Sequence, residues 1–201
     1  NNIILKQKVI IIKNGFKFFS LSNWEDFFAK ELNFIIDKRQ YDMNSNLAIS
    51  KWWEVYYDPE KDSSYTYSKT GQPLHNDNAW FADPAEINFF CMKKQAVSGG
   101  EGTFYSLDRI MEDLNKEEPG LLQDLMDVRV TIKKGNGEFY NHTNILCDNV
   151  IFWNYYRIDK YDKNIKDMCD SFFNFLGHKK DSKSVETYLY DTNDAFCFND
   201  Q

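Results

Sequence analysis

The chain has 201 residues, 42% hydrophobic and 27% charged, with a formal net charge of −7 and a pI near 5.0. That size and balance suit one globular domain with a substantial core, and the acidity argues against a nucleic-acid or anionic-membrane surface. No apolar run approaches the length of a membrane span. The four cysteines, Cys91, Cys147, Cys169 and Cys197, are scattered without a C-x-x-C pair, which argues against a zinc ribbon and reads as reduced thiols in a cytoplasmic protein.

The aromatic share is high, 17%, with 17 Phe and 12 Tyr, which favours strands and aromatic-lined cavities. Val9-Ile10-Ile11-Ile12 reads as a buried strand ended by Asn14-Gly15. Ser22, with Glu25 three residues on, predicts a capped helix start, and Trp24, Phe27, Phe28 and Leu32 fall on one helical face. Residues 35 to 49 read as irregular, Lys51 to Tyr57 as a strand and Asp58 to Ser64 as a loop.

Glu86 to Met92 is a further strand, and Ser98-Gly99-Gly100-Glu101-Gly102 a flexible turn feeding Thr103-Phe104-Tyr105. Ser106 caps a helix with Leu107, Ile110, Met111 and Leu114 on its apolar side, and a second short helix covers about Leu121 to Met126. Val128, Val130 and Ile132 alternate as a strand, and Lys134-Gly135-Asn136-Gly137 is a hairpin-type turn into one or two strands over Glu138 to Trp153. The last helix runs from about Asp162 to Leu176 and ends at Gly177. Glu186 to Leu189 and Ala195 to Phe198 close the sequence as strands. The chain opens on Asn1 without methionine and stops at Gln201 straight after an apolar run, so the gene product is expected to continue. Many short strands edged by a few helices predict a mainly β fold with flanking helices, a jelly-roll-like sandwich.

The stretch Gly71-Gln72-Pro73-Leu74-His75-Asn76-Asp77-Asn78-Ala79-Trp80-Phe81 carries the chemistry. In a strand-like context His75 and Asp77 project from the same side. An imidazole beside a carboxylate can take two adjacent positions on a metal. A third ligand completes the two-histidine, one-carboxylate face that holds non-haem Fe(II) and leaves positions open.

His75 to Phe81, followed by a strand and then by Ala96-Val97-Ser98-Gly99-Gly100-Glu101-Gly102-Thr103-Phe104, resembles the TauD/TfdA family of Fe(II)- and 2-oxoglutarate-dependent oxygenases. Asp194-Ala195-Phe196-Cys197-Phe198-Asn199-Asp200 is similar to the family's late strand, which precedes a distal histidine and a cosubstrate-gripping arginine. The resemblance implies a single double-stranded β-helix (jelly-roll) oxygenase domain over residues 1–201, short of its C-terminal end, with those two residues beyond Gln201. It implies Fe(II) on His75 and Asp77, 2-oxoglutarate as cosubstrate with Thr103 as its hydroxyl contact, and O2 as oxidant. The family's G-G-x-T threonine aligns with Gly102, which leaves Thr103 one place late. The carboxylate at Asp77 favours hydroxylation or desaturation over halogenation.

Substrate contacts are expected from Gln72, Asn78, Trp80 and Phe81, with Trp53, Tyr56, Tyr65 and Tyr67 as weaker candidates. For Trp80 and Phe81 the competing expectation is plain core packing. Polar Asn76, Asn78 and Gln72 suit a small polar metabolite. Two other functions stay open: a jelly-roll binding or scaffold protein without catalysis, and a cupin-like metalloenzyme using His142 as an extra ligand. His178, after a helix, reads as a solvated histidine interacting with the helix dipole.

Overall fold

The computed structural model of the chain describes residues 9–41, 47–49, 52–134 and 139–200. The strands are β1 (Val9–Ile12), β2 (Arg39–Tyr41), β3 (Leu47–Ile49), β4 (Ile87–Cys91), β5 (Gly102–Phe104), β6 (Arg129–Lys134), β7 (Phe139–Asn144), β8 (Leu146–Cys147), β9 (Val150–Ile151), β10 (Glu186–Tyr188) and β11 (Ala195–Asn199). The α-helices are α1 (Gly15–Phe18), α2 (Leu21–Asp26), α3 (Leu107–Glu117), α4 (Pro119–Asp127) and α5 (Lys163–Lys179), with a π-turn at Phe27–Glu31 and a 3-10 turn at Tyr65–Tyr67. Helix and strand are mixed, and the described strands form one three-stranded and four two-stranded sheets. They do not close into a barrel, so the mainly β expectation is met only in part.

The three-stranded sheet organises the rest. β11 lies in its centre, antiparallel to β1 (Val9 opposite Phe198) and to β4 (Ala195 opposite Cys91). Alternation along a strand sends successive side chains to opposite faces, and the two faces differ. One carries Phe89, Cys91 and Ala195, which pack under Trp24 and Phe28 of the N-terminal helical segment; Trp24 and Phe89 have ring centroids 4.9 Å apart. Gly15 must be glycine here, because a Cβ would lie 2.8 Å from the Ala195 Cβ. The helix start is set by Ser20, not Ser22: Ser20 Oγ accepts from the Asn23 N–H, and Asn23 Oδ1 accepts from the Ser20 N–H.

The other face is an aromatic layer. Phe90 stacks on Phe196 at 5.1 Å and lies 5.9 Å from Phe198. The separate β5–β10 ladder adds Phe104, 4.9 Å from Phe198. Tyr190 stacks on Phe196 at 3.9 Å. Its hydroxyl lies over Gly102, where a Cβ would come within 2.3 Å of it. Of these rings Phe196 and Tyr190 are buried, and full burial of such a side chain contributes about 1.5–3 kcal/mol. β10 and β11 do not pair with each other, although they are neighbours in sequence.

The largest core lies where α3, α4 and α5 cover β6 to β9, around Leu114, Leu125, Ile132, Trp153, Cys169 and Phe172. Asp162 caps α5 through the N–H groups of Asn164 and Ile165. That helix runs through Gly177 to Lys179, two residues past the expected stop, because Gly177 is tolerated within a helix packed along its length by Met168, Phe172 and Leu176. β6 and β7 pair as expected, and their turn at 135–138 lies outside the described residues. Residues 52–57 form no strand; Tyr56 and Asp58 N–H groups bond to the carbonyls of Thr66 and Tyr67 in an irregular segment with Trp53, Val55, Tyr56 and Tyr57 exposed. Arg39–Tyr41 and Leu47–Ile49 pair where irregular chain was expected. Among the described residues no helix is long and apolar enough to cross a membrane.

Candidate active site

His75 lies outside any strand, and Asp77 opens the turn that runs through Asn78 to Trp80. Asn78 takes the left-handed conformation, φ 59°, and its carbonyl accepts from the Phe81 N–H; asparagine tolerates that region better than most residues. What a ladder does in a strand is done here by Asn76. Its N–H donates to the Trp153 carbonyl at 2.8 Å, its Oδ1 accepts from the Trp153 N–H at 3.3 Å, and its Nδ2 donates to the Asp200 carbonyl. Asn76 therefore ties the segment to the helical core and to the end of β11, while the residues on either side point the other way.

The pair itself is close. His75 Nε2 lies 3.4 Å from Asp77 Oδ1, and Nδ1 lies 2.8 Å from the Pro73 carbonyl. A carbonyl only accepts, so Nδ1 carries a proton and Nε2 is the nitrogen left to face the carboxylate. Two adjacent ligands on a metal with bonds of about 2.1 Å stand roughly 3 Å apart, so the pair fits two neighbouring coordination positions. The backbone carbonyl on the far nitrogen is the arrangement that orients metal-binding histidines. Burial works to lower the His75 pKa, but the hydrogen bond and charge of Asp77 outweigh it and the net shift is upward. Burial likewise pushes the Asp77 carboxyl up, and His75 more than offsets it, leaving the pKa below the usual carboxylate range.

Three residues beyond the expected set surround this pair. Asp200 Oδ2 accepts from the Asp77 N–H at 2.9 Å and from Asn88 Nδ2 at 3.1 Å. Asn88 Nδ2 also donates to Asp77 Oδ2 at 3.0 Å. Burial, then the charge of Asp77, pushes the Asp200 pKa well above the ordinary value. Lys134 carries the positive charge on this side: its ammonium lies 4.3 Å over the Trp80 ring. Burial and the Arg157 charge bring its pKa down to about 8 against the attraction of Asp77. Asn88 is signalled in sequence only as the one polar residue in the run Ile87 to Cys91.

The remaining expected residues are spread. Trp80 and Phe81 are buried in the main core, with the Arg39 guanidinium 4.2 Å over the Phe81 ring, and Asn78 acts through its backbone turn. Gln72 is exposed. Thr103 sits mid-strand in β5 opposite Thr187. Tyr56 packs edge-on to Tyr67 at 5.2 Å, and Tyr65 lies 6.0 Å from Tyr156. His142 is on β7, its Nδ1 3.2 Å from Thr131 Oγ1, and His178 is in the last turn of α5. Neither joins His75 and Asp77: among the described residues no three of His, Cys, Asp and Glu form a metal-holding group.

The fold and the site together define a mixed sheet-and-helix protein with an imidazole–carboxylate pair oriented by a backbone carbonyl. The chain belongs to the taurine catabolism dioxygenase TauD, TfdA family, whose model matches residues 1–188. Its fold is similar to that of an asparagine oxygenase solved in complex with Fe(II), 2S,3S-3-hydroxyasparagine and succinate. The TM-score is 0.54 at 10% identity, over 67% of this chain and 43% of that one. The chain thus spans less than half the length of that relative. No curated protein matches it.

Proposed function

We propose that this chain is the jelly-roll oxygenase domain of an Fe(II)- and 2-oxoglutarate-dependent enzyme that hydroxylates an unactivated C–H bond of a small polar metabolite. The observation that carries this reading is the 3.4 Å approach of His75 Nε2 to Asp77 Oδ1 with Nδ1 held by the Pro73 carbonyl, in a member of this family. His75 and Asp77 would hold the metal, with a third ligand from outside the described residues. Bound there with 2-oxoglutarate, Fe(II) supplies the oxidising chemistry.

The chain's own groups then have separable tasks. The Pro73 carbonyl keeps the His75 proton on Nδ1, so that Nε2 is the metal-facing atom once its own proton has left. Asp77 is ionised in advance. The aromatic layer of Phe90, Phe196 and Phe198 shares its sheet face with Asn88 beside the pair, and Thr103 would offer a hydroxyl to a cosubstrate carboxylate. Lys134 places a positive charge within reach of an anionic group. A small polar substrate, of the size of an amino acid, suits the polar residues beside the pair.

The test is conversion of 2-oxoglutarate to succinate by the intact protein with Fe(II) and oxygen, screened with small polar amino acids. Succinate formed by the parent and lost in His75→Ala supports the reading. A folded parent that makes none with any of them, while binding Fe(II), favours the non-catalytic binding protein instead.

A further inference from the structure

β4 runs Ile87-Asn88-Phe89-Phe90-Cys91, and Asn88 lies on the aromatic face with Phe90, opposite Phe198 in register. An amide there serves no packing purpose. Its Nδ2 lies 3.0 Å from Asp77 Oδ2 and 3.1 Å from Asp200 Oδ2. A primary amide nitrogen has two hydrogens to give and accepts none, so Asn88 spends one on each acid. Asp200 is fixed in turn, because its Oδ2 accepts from the Asp77 N–H at 2.9 Å and its own N–H donates to the Glu86 carbonyl at 2.9 Å. The hydrogen bonds close a ring: Asp77 backbone to Asp200, Asp200 to Asn88, Asn88 back to the Asp77 side chain.

The ring matters because the last torsion of an aspartate is soft and broadly two-fold. Left alone, the Asp77 carboxylate would rotate and present either oxygen, or neither, to its neighbour. With Oδ2 held by Asn88, Oδ1 is the oxygen that stands 3.4 Å from His75 Nε2. We propose that Asn88 is a positioning residue that sets the Asp77 carboxylate for the metal, with Asp200 as the backstop that keeps the amide in place. This rests on the reading of His75 and Asp77 as metal ligands.

The test is an oxygen-free Co(II) titration of the intact protein, followed by the visible bands of the bound ion, on the parent, His75→Ala, Asn88→Leu and Asn88→Ser. Circular dichroism and melting of each metal-free protein are recorded alongside. Loss of an oriented partner behind a ligand weakens metal affinity by about 10- to 100-fold. The expected result is a shift of that size in Asn88→Leu with a native dichroism spectrum, and a smaller one in Asn88→Ser, which keeps a single donor. Should the leucine variant fail to fold, the serine variant and its altered band positions decide. Parent-like affinity and bands in a folded Asn88 variant overturn the proposal, even if its melting point falls. A parent that binds no Co(II), or binds it equally well in His75→Ala, overturns the metal reading and this inference with it.

Discussion

Two aspartates six residues apart stand at opposite ends of β11, and their surroundings differ in kind. Asp194, 1% exposed, accepts from the Asn14 N–H at 3.0 Å, the Asp191 N–H at 2.9 Å and the Lys13 ammonium at 2.8 Å. Burial pushes its pKa up, but those donors, Lys13 foremost, outweigh it and hold the pKa below the usual range. Asp200 has two N–H donors, no lysine or arginine hydrogen-bonded to its carboxylate among the described residues, and another carboxylate as its neighbour. Its pKa is pushed up. A buried charge with a cation is an anchor for the fold; one set against a like charge is poorly placed for stability and marks a site. The same strand joins the two, so the anchor at one end fixes the geometry at the other.

The sharpest way to break this contrast is to remove the anchor. Asp194→Ala leaves the Asn14 and Asp191 N–H groups without their acceptor and Lys13 with Asp191 alone, and an unfolding free energy lower by about 2–3 kcal/mol is expected; denaturant titration measures it. An unchanged midpoint would make the two aspartates alike.

The pH dependence sharpens it next. Because the folded-state pKa of Asp194 is lowered, its contribution is fully present above the unfolded value, near 4, and is lost as pH falls through the folded value. The stability gap between the parent and Asp194→Asn should therefore be constant above about pH 5 and narrow below about pH 4. A gap that widens on acidification would contradict the assignment. The smallest effect belongs to Asp200→Asn in the metal-free protein. The amide oxygen still accepts from the Asp77 N–H and one of two facing charges is gone, so stability should change by less than about 1 kcal/mol, with a gain as the expected sign. A loss near that of Asp194→Ala would show Asp200 to be a second anchor.

Much of this was legible in the residues. Val9–Ile12, Ile87–Cys91, Leu107–Glu117 and Arg129–Lys134 are strongly patterned, and each lies where its periodicity places it. The strand expected over Lys51 to Tyr57 misled because aromatic and β-branched residues read as strand, yet the described residues 52–57 pair with no strand, and Trp53, Tyr56 and Tyr57 expose their rings. Ser20 and Ser22 offer equal capping chemistry in sequence; Asn23, returning a bond to Ser20, decides between them. Gly177 carries a stop signal that packing of α5 overrides. At the site, His75 and Asp77 are visible as an H-x-D pair, but no strand ladder aligns them: the bonds of Asn76 to Trp153 and Asp200 do. Asn88 and Asp200 are 11 and 123 residues from Asp77. Only the pairing of β4 with β11 brings them together, and no local pattern encodes that.

The central claim is that His75 and Asp77 hold Fe(II) for use with 2-oxoglutarate. It is tested most directly by adding Fe(II) and then 2-oxoglutarate to the metal-free intact protein without oxygen, and recording the visible charge-transfer absorption of the chelated keto acid. A band in the parent that is absent from His75→Ala is the result the account predicts. A folded parent that binds Fe(II) and shows no band on addition of 2-oxoglutarate would contradict it.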